Sequence, residues 1–90
     1  MTIVALKVKI MPLAIESDLE KIKEEAEKKI KSLGASLHSS QEEAIAFGLK
    51  ALILVVAWPE DKNPVEIETQ LANIPDVKSI QIIDVRRAAL

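Results

Sequence analysis

Residues 51–58 read Ala-Leu-Ile-Leu-Val-Val-Ala-Trp, a run with no polar side chain at either odd or even positions. A strand with one wet face alternates, so a run apolar on both faces belongs in the middle of a sheet, covered on each side. It is far short of the roughly 18–20 apolar residues that cross a bilayer. Pro59 cannot donate to a ladder and stops the run, and Glu60-Asp61-Lys62-Asn63 follows as a polar turn. One buried central strand therefore requires neighbours on both edges and a layer of other elements on its faces.

The rest of the chain supplies them. Val4, Leu6, Val8 and Ile10 alternate with Ile3, Ala5, Lys7 and Lys9, which predicts a strand over 2–10 that ends at Pro12. Ser17-Asp18-Leu19-Glu20 has the form of a capping box with Ser17 as the cap. Leu19, Ile22, Ala26, Ile30 and Leu33 then fall at spacings of three and four, one helical stripe. Glu24/Lys28, Glu25/Lys29 and Glu27/Lys31 stand in the favourable i,i+4 order. Gly34 sits where a left-handed cap is wanted. Residues 35–43 alternate weakly and predict an exposed edge strand. Asn63 suits the cap and Pro64 the first position of a second helix, whose stripe is Ile67, Leu71 and Ile74 before Pro75 ends it. Residues 77–85 predict the last strand.

The order strand, helix, strand, strand, helix, strand is the ferredoxin-like split βαβ arrangement of the α+β class. It is a four-stranded antiparallel sheet with two helices on one face. Ninety residues make one domain, 1–90. That fold hosts many unrelated activities, so function has to be sought in particular residues.

Most chemical classes lack their residues. There is no cysteine and one histidine, His38, which leaves no thiolate nucleophile, no disulfide and no transition-metal cluster. His38 reads as an exposed edge residue among Ser36, Ser39 and Ser40, without an orienting acid or an oxyanion hole. The two glycines form no phosphate loop. A net charge of −2 and an aromatic content of 2% argue against direct nucleic-acid binding. The central strands offer Val4, Leu6, Leu52 and Leu54 where an RNA-recognition sheet needs stacking rings. With so few aromatics the core is expected to be aliphatic. The start of the chain has no basic and apolar leader pattern, so no signal peptide is expected, and the absence of cysteine suits the cytoplasm. No enzyme, cofactor or metal is expected.

Two places remain. Ala44-Ile45-Ala46-Phe47-Gly48-Leu49-Lys50-Ala51 holds the only Phe and, unlike Gly34, a glycine that no helix cap explains. Phe47 either plugs the end of the core or projects into a partner. Asp84-Val85-Arg86-Arg87 puts two arginines at the end of a strand, where they suit carboxylate or phosphate recognition.

The stretch from Glu42 through Leu52, with Ala46-Phe47-Gly48-Leu49 at its centre, resembles translation elongation factor 1-beta, in its compact archaeal single-domain form. Val8-Lys9-Ile10-Met11-Pro12, Pro59-Glu60-Asp61 and Asp84-Val85-Arg86-Arg87 fall in register with it, so the likeness spans nearly the whole chain. Ala44 departs from the proline of many members. The resemblance implies a ferredoxin-like domain that exchanges guanine nucleotide on elongation factor 1-alpha, with GDP, GTP and Mg²⁺ held by that GTPase. It implies that Phe47 lies on the contact surface, with Ala46, Gly48 and Lys50 around it. Eukaryotic-type members end in a penultimate lysine that reaches the Mg²⁺ site. Ala89-Leu90 stand there instead, and Arg86 and Arg87 are the nearest basic groups. The competing expectation is a regulatory or ligand-binding module that dimerises through its open sheet face, burying Leu52, Leu54 and Val56.

Overall fold

The computed structural model describes residues 3–88. Strands β1 (Ile3–Pro12), β2 (Ser36–Ala44), β3 (Lys50–Pro59) and β4 (Val77–Ala88) form one sheet, and helices α1 (Leu19–Ser32) and α2 (Val65–Ala72) pack on it. The spatial order is β2-β3-β1-β4 and every neighbouring pair is antiparallel. This is the ferredoxin-like topology expected from the element order.

The apolar run became the interior strand β3, paired on both sides. Its even-numbered residues Leu52, Leu54, Val56 and Trp58 join Val4, Leu6, Val8 and Ile10 of β1 beneath Ile22, Ala26 and Ile30 of α1 and Ile67 and Leu71 of α2. Ala51 and Ile53 are buried too, but outside that cluster, on the sheet's other face. There β3 and β1 set Ile53 opposite Lys9 and Val55 opposite Lys7, while β4 adds Asp84 opposite Lys7 and Arg86 opposite Ala5. The open face is thus charged around a narrow apolar centre. Leu52, Leu54 and Val56 lie under the helices, so the expected dimer that buries them has no surface to form on. For the same reason Val4, Leu6, Leu52 and Leu54 are not the positions a sheet offers to bases; Ala5, Lys7, Ile53 and Val55 are, and none is aromatic.

The expectation of a wholly aliphatic core needs correction at Trp58, which is 1% exposed and the largest fully buried side chain. Its indole N–H donates to the Lys62 carbonyl at 3.0 Å, which satisfies the one polar atom of the ring. The Lys62 ammonium lies 5.8 Å from the ring centroid and donates to the Leu33 carbonyl at the end of α1. One lysine thereby ties the β3–α2 turn to the C-terminus of α1. The α1 exit is a Schellman motif: Gly34, at φ +80°, donates to Lys31 O at 3.0 Å and Ala35 to Ile30 O at 3.1 Å.

The α1 entry differs from the capping box. Asp18, not Ser17, is the cap, and its carboxylate accepts from the amides of Glu20 and Lys21 at 3.1 and 3.3 Å. Ser17 is occupied one step earlier, accepting from the Ala14 amide at 3.2 Å and closing the 14–17 turn. A carboxylate is also the better partner for the positive end of a helix. Asp18→Ala should therefore lower stability by about 1 kcal/mol, read as a shift of several degrees in a thermal melt. The i,i+4 pairs are not formed either; on this helix Glu25 meets Lys28, three residues on, at 3.7 Å. At α2 the Asn63 side chain accepts from Val65 N–H at 3.0 Å and Pro64 already has helical angles, as the sequence pattern required.

Both sheet edges are interrupted. His38 is the unpaired residue of an irregularity in β2, exposed as expected, and Ile83 is that of one in β4. Bulged edges resist pairing with other chains.

Candidate functional site

The antiparallel register divides the sheet into two ends. At one, β1 finishes at Pro12 opposite the start of β4, and β3 begins beside the last residues of β2. At the other, Ile3 lies opposite Pro59 and Ala88.

The first end carries the sharpest feature of the molecule. Ile45 N–H donates to Leu49 O at 2.7 Å and Leu49 N–H to Ala46 O at 3.2 Å, which closes a hairpin loop over Ala46–Gly48. To turn in so few residues the backbone enters the left-handed region twice in succession, with Phe47 at φ +61°, ψ +32° and Gly48 at φ +78°. Gly48 accepts this conformation without penalty. Its missing Cβ is not a matter of space, since a Cβ there would stand 3.7 Å from Ile15 Cδ1, an ordinary contact. Phe47 does not accept it freely: a left-handed residue with a Cβ costs roughly 1–2 kcal/mol. The outcome of that strain is a ring that is 92% exposed. Phe47 is no core plug; the projecting alternative is the one the fold adopts.

Ala46, Gly48 and Lys50 are exposed around it, and Lys50 reaches Glu42 at 3.9 Å. Beside the loop is an open cleft of about 450 Å³, lined among others by Pro12, Ile15, Asp18, Glu42, Gly48 and Lys50. Two further residues there were not singled out from the sequence. Leu13 and Ile15, in the β1–α1 connection, are 59% and 64% exposed. Their signal was only that two aliphatics stood outside any periodic stripe.

Arg86 and Arg87 are not in this group. They pair with Ala5 and Val4, near the start of β1, whereas Lys50 opens β3 at the far end. At about 3.3 Å per residue the separation along the strands is roughly 25 Å. Arg86 Nε donates to Asp84 at 2.9 Å, and Arg87 lies 2.6 Å from Glu60. The six residues expected to share a site thus fall into a Phe47 tip and a separate arginine end. Ala89 and Leu90 lie outside the described residues. Among the described residues no group of side chains could hold a metal ion, and no helix is long and apolar enough to cross a membrane.

The chain that carries this loop is similar to known proteins over nearly its whole length. Residues 5–88 match the EF-1 guanine nucleotide exchange domain. The chain belongs to that family. Elongation factor 1-beta of Methanosarcina barkeri is 41% identical over 86 residues, 93% of this chain and 96% of the relative. That of Methanothermobacter thermautotrophicus is 40% identical, covering 89% of this chain and 90% of its own. That of Methanocaldococcus jannaschii is 34% identical over 98% of this chain and its entire length. The likeness is to archaeal factors of the same size, as the sequence motifs implied. Members of an exchange family release and reload a bound nucleotide and break no covalent bond in doing so.

Proposed function

We propose that this chain is the guanine-nucleotide exchange factor of elongation factor 1-alpha, acting in the cytoplasm during translation elongation, and that Phe47 is the group that engages the GTPase. The observation that carries the residue assignment is the combination of 92% exposure and a left-handed backbone at Phe47. Folding alone favours neither, since burying such a ring contributes about 1.5–3 kcal/mol and relaxing its backbone about another 1–2 kcal/mol. A binding surface gives both a reason, because a rigid aromatic presented in advance loses little freedom on docking.

The mechanism needs no chemistry from this chain. In the GTPase, the phosphate-binding loop and Mg²⁺ would hold the phosphates of the bound nucleotide. A factor that binds the emptied GTPase better than the loaded one weakens GDP binding by the same factor. A hundredfold effect requires about 2.7 kcal/mol of differential binding. One buried aromatic, at about 2 kcal/mol or more, supplies most of it. The vacated site then takes up whichever nucleotide is abundant, and GTP reloads. Ala46, Gly48 and Lys50 set the reach and aim of the ring. Arg86 and Arg87 enter only as a second contact, available to a partner that spans the length of the sheet.

The test is release of a fluorescent GDP from purified elongation factor 1-alpha. Addition of this chain should accelerate release at least tenfold at micromolar concentration, in proportion to the complex formed. Release at the intrinsic rate, with complex formation verified by sedimentation, would refute the proposal.

A further inference from the structure

Six large apolar side chains are exposed among the described residues, and three of them, Leu13, Ile15 and Phe47, stand at the same end of the sheet. Scattered singly such residues need no explanation, but a group at one edge marks a contact surface. Leu13 and Ile15 are held there by the fold. The Leu13 amide donates to Asp76 O at 2.8 Å, and Ser17 closes the turn from both its hydroxyl and its amide, each at 3.2 Å from Ala14. Ile15 lies against Gly48, so the β1–α1 turn and the Phe47 loop meet.

The charges around this edge are mostly acidic. Glu16, Asp18 and Glu20 follow Ile15 into α1, and Glu42 and Glu43 end β2 just before the loop; all are exposed. Against them stand Lys50, already drawn to Glu42, and Lys78, exposed between the β4 residues that pair with Met11 and Pro12. Asp76 adds to the acidic side on the neighbouring turn. Lys21, on the next turn of α1, lines a second cleft with Asp18, Glu25 and Asp76 and offsets part of the charge on that side. Yet the whole chain is close to neutral, at −2. The acidity is therefore concentrated where the apolar groups project.

We propose that Ile15 and Leu13 form, with Phe47, a single docking edge whose carboxylate rim fits a lysine- and arginine-bearing surface of the GTPase. This rests on the exchange-factor reading above. The apolar groups govern how long the complex lasts, and the rim governs how fast it forms, because charges outside the dry centre act chiefly on the encounter rate. Separating those two effects is the experimental handle.

Association and dissociation with elongation factor 1-alpha should be followed by stopped flow at several salt concentrations. For the wild-type chain association should slow steeply as salt rises. Ile15→Ser, with an unchanged melt, should speed dissociation about tenfold. The double substitution Glu16→Lys with Glu43→Lys should slow association about tenfold at low salt and flatten its salt dependence, with dissociation unchanged. If Ile15→Ser dissociates like the wild type, or if wild-type association is indifferent to salt, the docking edge is refuted. A loss confined to Phe47→Ala would overturn this inference and leave the exchange-factor reading intact. Undiminished exchange in Phe47→Ala, together with wild-type behaviour of the other variants, would overturn both.

Discussion

Replacing Phe47 with alanine should leave the thermal melt where it was and remove most of the acceleration of GDP release. The ring is 92% exposed, so the fold loses almost no buried area with it. The backbone strain stays, because alanine at φ +61° also carries a Cβ. An interface aromatic costs about 2 kcal/mol or more on truncation, which is roughly a 30-fold loss in stimulated release at sub-saturating factor. Phe47→Gly sharpens the test. Glycine relieves about 1–2 kcal/mol of left-handed strain and gives back about 0.4–1 kcal/mol through a freer unfolded chain. The glycine variant should be equally or slightly more stable than the wild type and as inactive as the alanine variant. A functional residue that the fold would rather not have is the simplest account of that outcome. If either substitution lowers the melting temperature by ten degrees while activity per folded molecule persists, Phe47 supports the structure and the exchange site lies elsewhere.

Much of this fold could be read directly from periodicity. The alternation of β1 and the stripes of both helices became buried faces, each marked by its own period, while the two-sided run became the interior strand on the strength of its short length and the Pro59 that bounds it. Caps were less legible. Ser17 and Asp18 are both good cap residues, and the choice between them was made by the 14–17 turn, which needs the Ser17 hydroxyl. Trp58 lay inside the buried run and continues the stripe of Leu52, Leu54 and Val56, but a low aromatic content does not show that the one indole is a core side chain. The site was legible in part. A phenylalanine next to an unexplained glycine marked the loop, but pattern could not tell plug from projection. That depended on two successive left-handed residues, a property of the closed hairpin. Arg86 and Arg87 stand beside Phe47 as contact candidates for their chemistry and, through the resemblance, as the basic groups nearest the missing penultimate lysine. Strand direction separates them: in an antiparallel sheet the end of β4 lies by the start of β1 and the start of β3 by its end, and the register fixes Arg86 and Arg87 opposite Ala5 and Val4.

Trp58→Ala should produce the opposite dissociation from Phe47→Ala. Emptying the space of the largest buried side chain costs about 3–5 kcal/mol, counting the cavity left behind. It also strands the Lys62 carbonyl that accepted the indole N–H, and it removes the ring over which the Lys62 ammonium lies on its way to the Leu33 carbonyl. The tie between the β3–α2 turn and the end of α1 weakens at the same time. For a chain of this size, each kcal/mol moves the melt by about 4–8 °C, so a fall of roughly 15 °C or more is expected by circular dichroism. Exchange, measured well below the new melting temperature and corrected for the folded fraction, should stay within about twofold of the wild type. The reason is position: Trp58 pairs with Val4 at one end of the sheet, and the Phe47 loop projects from the other. A sheet that transmitted damage along β3 would instead lose exchange together with stability. Two variants that each abolish what the other preserves would separate the scaffold from the tip it presents.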